Sequence, residues 1–182
     1  MYRVVIGGHS QTPTSLPQID NVIVTLNQIP GAKISAFWTD ERFRDIRSVK
    51  HNLAVLFLGG NDLSNNSSPR AITDALLSIV SHLTSLHDKV VVVLIEHREL
   101  PDNNRHGITN LSYRQQRRRV NNNLARPLQR MNVRTLHFSD TFFAKLHTRD
   151  GVHFGSQARR GITNAFVSCI TRHRDTFLSE QQ

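Results

Sequence analysis

The chain has 182 residues, 38% of them apolar and 20% charged, the composition of one globular domain that can close its own core. Its single cysteine, Cys169, excludes an intramolecular disulfide and a Cys-based zinc site, and reads as a small core residue. The net charge of +9 favours a polyanionic neighbour and says nothing about fold. The longest apolar run, Val90–Ile95, is too short to span a bilayer, and the N-terminus runs into glycines unlike a signal peptide.

Short β-type runs alternate with amphipathic patterns. Arg3–Ile6 is the first, stopped by glycines. Val22–Leu26 is the second, and Leu53–Leu58, again ended by glycines, is the third. Lys89–Ile95 carries four consecutive valines, and Val133–Phe138 is the fifth. Continuous apolar runs of this length predict strands covered on both faces. A helix is predicted from Ser68-Pro69, a cap followed by proline at the first helical position, with Ile72, Ala75, Leu76, Ile79, Val80 and Leu83 along one face. A second starts near Ser112, where Gln115 completes a capping box, and is interrupted by Pro127. The last starts near Ser156 and buries Ile162, Ala165, Phe166, Cys169 and Ile170. Segment 96–111 reads as a surface loop. The alternation predicts an α/β fold, a mostly parallel sheet with helices on both sides. It occupies residues 1–178, and 179–182 form a frayed tail.

Ligands bind at the carboxyl ends of strands in such sheets, so the residues after each strand matter. They are Gly7-Gly8-His9-Ser10, then Pro30-Gly31-Ala32, then Gly59-Gly60-Asn61-Asp62 and, past the fifth strand, Asp150-Gly151-Val152-His153. Acyl transfer needs these parts. A serine hydroxyl requires a base, an imidazole titrating near neutrality suits that task, and a carboxylate fixes the imidazole's tautomer. A backbone N–H at a glycine turn and an asparagine amide can receive the developing oxyanion.

In that order, these blocks resemble the SGNH (GDSL-like) hydrolases over nearly the whole chain. The resemblance implies a flavodoxin-like three-layer α/β/α sandwich with a five-stranded sheet, and metal-free, cofactor-free hydrolysis of short acyl, acetyl-type esters. It assigns Ser10 as nucleophile, Asp150 and His153 as the rest of a triad, and Ser10, Gly31 and Asn61 as the oxyanion hole. Two departures stand out: His9 replaces the usual aspartate of the first block, and Ala158 replaces a glycine about five positions after the base histidine. Short esterase domains with Gly-His-Ser first blocks also resemble those carried by some retrotransposons and related mobile elements. That likeness implies an intracellular, ribonucleoprotein-associated setting, with secretion left open.

Asp62 reads as a brace for its own turn, and His9, His97, His106, His137 and His147 show no metal-ligand spacing. Phe37 and Trp38 read as core or as an acyl pocket. Arg114, Arg117, Arg118 and Arg119, with Arg126, Arg130 and Arg134, crowd one helical region. They read either as a solvated face or as a surface tracking RNA or DNA phosphates. The rival to an esterase is therefore a catalytically retired module that binds nucleic acid or an acidic partner. The presence of Ser10, Asn61, Asp150 and His153 together favours the enzyme.

Overall fold

The computed structural model describes residues 1–104, 107–138 and 152–182. Five strands form one all-parallel sheet: β1 (Tyr2–Gly8), β2 (Val22–Gln28), β3 (Leu53–Phe57), β4 (Lys89–Val93) and β5 (Arg134–Leu136), in the order β2-β1-β3-β4-β5. Between them lie α1 (Ala36–Thr39), α2 (Arg44–Ser48), α3 (Pro69–Leu86) and α4 (Asn110–Arg130), and α5 (Ser156–Ser179) follows.

Strand pleating divides the core in two. Val5, Ala54, Leu56, Val90 and Val92 face one side and pack with α1 to α4. Val4, Ile6, Val55, Phe57 and Val91 face the other and pack with Ile162, Phe166 and Ile170 of α5. The result is the expected α/β/α sandwich. Among the described residues no helix is long and apolar enough to cross a membrane.

Helix α3 starts where its sequence directs: the Ser68 hydroxyl accepts the Ala71 N–H at 3.2 Å, and Pro69 follows. Several details differ from the sequence reading. Strand β2 lies at a sheet edge and is only partly buried, because one side lacks a neighbouring strand. Helix α4 is capped by Thr109, whose hydroxyl accepts the Ser112 N–H at 3.1 Å, so it begins a turn earlier than the Ser112 box implied. Pro127 does not interrupt it. Proline removes one N–H, and the residue whose carbonyl loses that donor, Asn123, is exposed. Cys169 is partly buried, at the margin of the α5 core.

The largest difference lies after β4. Glu96, His97, Arg98, Leu100 and Ile108 are buried, so segment 96–111 is no surface loop throughout. Its polar groups enter the interior because they pair with one another.

Candidate active site

The sheet reverses its direction of growth between β1 and β3, the switch point at which a crevice opens beyond the strand ends. Ser10 follows β1 and Asn61 follows β3, so both stand at this crevice. Gly8 sets the approach. A Cβ there would lie 2.6 Å from the Phe57 carbonyl oxygen, and the His9 N–H donates to that same oxygen at 3.2 Å. Any side chain at position 8 would push the Ser10 turn away from β3. Gln28, at the end of β2, donates to the carbonyls of Ser10 and Thr12 at 3.2 and 2.9 Å and holds the turn from the other side.

His153 Nε2 lies 3.2 Å from Ser10 Oγ, joining residues 143 apart in sequence. The residue that brings them together is Gln11. Its Oε1 accepts the Phe154 N–H at 3.3 Å, and its Nε2 donates to the Val152 carbonyl. A single buried amide beside Ser10 thus clasps the backbone on both sides of His153. Sequence reasoning missed Gln11, since a polar residue in a turn carries no signal of burial. Asp150, the expected third member, lies outside the described residues, as do His106 and His147.

Asn61 sits in the short 3₁₀ turn Gly60–Asp62, entered through Gly59 at φ +116°. Its Nδ2 donates to the Ala32 carbonyl at 3.0 Å, and this bond draws the Gly31 loop to the end of β3. Gly31 itself has φ +72° and is exposed, a conformation costly for other residues. Asp62 braces that loop more than its own turn, accepting the Ile34 N–H at 3.1 and 3.3 Å. Burial pushes its carboxyl up to about 6, against the Ile34 bond and Lys33, which act to lower it.

For a carboxyl raised in this way, the associated stability is full below the ordinary aspartate range and is lost as pH rises through about 6. Asp62→Asn does not titrate. Its stability relative to wild type should therefore climb between pH 4 and pH 6 and level off above, as read by thermal unfolding across that range (roughly the span between ordinary and raised carboxyls). A constant offset at all pH values would contradict a buried, raised Asp62.

His9 is fully buried. Its Nδ1 accepts the Gln11 N–H at 3.2 Å, and its Nε2 lies 3.4 Å from Glu96 Oε2, within ion-pair reach but short of a hydrogen bond. Glu96 in turn meets Arg98, whose Nη2 and Nε lie 2.6 and 2.9 Å from Oε1. Burial pushes the Glu96 carboxyl up, but Arg98 first and then His9 outweigh it and hold it well below the usual carboxylate range. The Arg98 guanidinium also lies 5.3 Å from the centre of the Tyr113 ring. Gly60 makes room for this group: a Cβ there would stand 2.6 Å from both Arg98 Nη2 and Glu96 Oε1.

Beside Ser10 opens a cleft of about 130 Å³, lined by Thr12, Thr14, Ser15, Arg159 and Thr163 among others. Phe37 is buried in the core, while Trp38 is exposed beside a separate groove with Ile34 and Ala71. The arginines of α4 do not share one solvent face. Arg118 and Arg119 are exposed, Arg114 is partly covered, and Arg117 is buried.

This architecture, with a serine and an asparagine at the switch point, is the SGNH hydrolase fold. The chain belongs to the GDSL-like lipase/acylhydrolase family, whose model matches residues 7–160. Among solved structures it is similar to the carbohydrate acetylesterase Est24 from Sinorhizobium meliloti, at 13% identity and TM-score 0.73, covering 94% of this chain and 99% of that one. A lipolytic G-D-S-L family protein from Veillonella parvula aligns at 17% identity and TM-score 0.72, covering 94% and 100%. The acetylxylan esterase Axe2 from Geobacillus stearothermophilus aligns at 14% identity and TM-score 0.68, covering 93% and 94%. No curated protein matches the sequence.

Proposed function

We propose that the chain is a serine esterase that hydrolyses short acyl esters, with Ser10 as nucleophile and His153 as general base. The observation that carries this reading is the 3.2 Å contact between Ser10 Oγ and His153 Nε2. It lies within the reach a general base needs. In this mechanism His153 Nε2 takes the hydroxyl proton as Oγ attacks the ester carbonyl. The oxyanion forms toward the Ser10 and Gly31 N–H groups and the Asn61 amide. Collapse of this intermediate expels the alcohol, which receives the proton from His153, and water repeats the sequence on the acyl-serine. Asp150 is assigned as the carboxylate behind His153 on family order alone.

The hydroxyl-lined cleft beside Ser10 suits a small polar substrate more than a long lipid chain. Est24 and Axe2, both acetylesterases of carbohydrate or xylan by name, support an acetyl group as the acyl part. The direct test is turnover of p-nitrophenyl acetate by the purified protein, with mass spectrometry of the trapped acyl-enzyme. Acylation is expected on the peptide that contains Ser10. Absence of turnover on acetyl esters, or acylation elsewhere, would remove the reading.

Asn61→Ala tests the oxyanion role separately. Loss of one preset donor typically lowers kcat by about 10²–10³-fold. Steady-state kinetics should show that loss in kcat with KM little changed, and a fall in KM-dependent binding alone would assign Asn61 to substrate contact instead.

A further inference from the structure

Asn61 can present two faces to a developing oxyanion. With Nδ2 inward it donates. Rotated by half a turn, it offers Oδ1, an acceptor that repels the negative charge. The two orientations have the same shape, so packing alone barely separates them, and only hydrogen-bond partners choose. Two partners are fixed in opposite sense here. The Ala32 carbonyl can only accept, and it receives Nδ2 at 3.0 Å. Arg98 can only donate, and its Nη2 lies 3.1 Å from Oδ1. Rotation would set carbonyl against carbonyl and donor against donor at once.

Arg98 can occupy this position only because its charge is balanced. It is 3% exposed and Glu96 is 2% exposed, both too buried for a lone charge. Glu96 is approached by His9 on its other oxygen, and His9 accepts from the Gln11 N–H. Gln11 is the residue that clasps the backbone around His153. Close polar contacts therefore link Asn61 through Arg98, Glu96 and His9 to Gln11, which holds the backbone on either side of the base; the 3.4 Å step between His9 and Glu96 is an ion-pair distance and not a hydrogen bond.

From this we infer that Arg98, held in place by Glu96 and His9, is a positioning residue that locks the Asn61 amide with its NH₂ group toward the oxyanion. The inference rests on the serine esterase reading for its effect on rate, and on geometry alone for the lock. It also gives His9 a role: the imidazole sets a ring nitrogen beside Glu96, where an acidic side chain would place a second carboxylate.

The test uses the charge-balanced pair Glu96→Gln with Arg98→Met, which removes both members of the ion pair and so avoids stranding either charge. Two readouts are taken. In NMR spectra of the full chain, nuclear Overhauser contacts from the Asn61 side-chain amide protons to Ala32 are expected in wild type and should weaken or vanish in the double variant. In p-nitrophenyl acetate kinetics, the double variant should lose roughly tenfold or more in kcat with KM within about twofold, as for a preset group that has lost its orientation. Combined with Asn61→Ala, the same pair of substitutions should cost no further kcat, since its effect passes through Asn61. Unchanged amide contacts to Ala32 would overturn the inference, and so would an equal loss of kcat with and without Asn61. If wild type hydrolyses no ester, the esterase reading fails, and the NMR contacts alone then decide whether Arg98 sets the amide.

Discussion

Replacing Ser10 with alanine is expected to bring hydrolysis of p-nitrophenyl acetate down to background while the protein stays folded. The hydroxyl faces His153 Nε2 at 3.2 Å. Without it the base has no proton to remove and no covalent intermediate forms. Losing a nucleophile that works as one unit with its base typically costs on the order of 10⁴-fold or more in kcat. The structural cost is small by comparison. Ser10 is only partly buried, and one lost hydrogen bond is worth about 1 kcal/mol. Circular dichroism and the urea midpoint should therefore stay close to wild type. Turnover that survives the substitution would take Ser10 out of the mechanism.

Glu96→Ala is expected to have the largest effect on stability. It leaves the Arg98 guanidinium in the interior, 3% exposed, without the carboxylate 2.6 Å away. Breaking one side of a buried pair typically costs about 3–5 kcal/mol, because the remaining charge has lost its partner and cannot reach water. The Glu96→Gln and Arg98→Met pair should cost much less than Glu96→Ala alone, since no charge is stranded. The pH dependence has a definite sign. A carboxyl held well below its ordinary range contributes stability that is present above the ordinary value and lost only as pH falls through the depressed one. The gap between wild type and Glu96→Gln should thus hold steady from neutral pH down to about pH 4, and close only in stronger acid. Urea unfolding across that series reads both effects, and a Glu96→Ala loss below about 1 kcal/mol would contradict the buried ion pair.

Much of the architecture is legible in the sequence because its physics is local. Apolar runs stopped by glycines mark β1 and β3, and those same glycines deliver Ser10 and Asn61 to the strand ends. Ser68-Pro69 marks the start of α3 through the two features that cap a helix. By contrast, α1 and α2 span only four and five residues, too few for a 3.6-residue period to show. The pairing of Ser10 with His153 came from the order of the family blocks, since no local pattern links residues so far apart.

The polar interior was the least legible part. Glu96, His97 and Arg98 sit in a stretch with Pro101, paired asparagines and Gly107, a composition that signals solvent. Their burial depends on contacts among themselves, on His9 from another strand end, and on the absence of a side chain at Gly60. None of these is a property of the segment itself. The substitution of His9 for an acid was visible, but its partner was not. A histidine in that place has a reason once a buried glutamate is found beside it.

The most direct measurement is labelling of the intact protein with a fluorophosphonate probe, located by mass spectrometry and repeated in a His153→Gln variant. A nucleophile activated by the neighbouring imidazole should bind the probe covalently at the tenth residue, and the variant should react far more slowly. An unlabelled wild type, or labelling that proceeds equally well without the imidazole, would contradict the account.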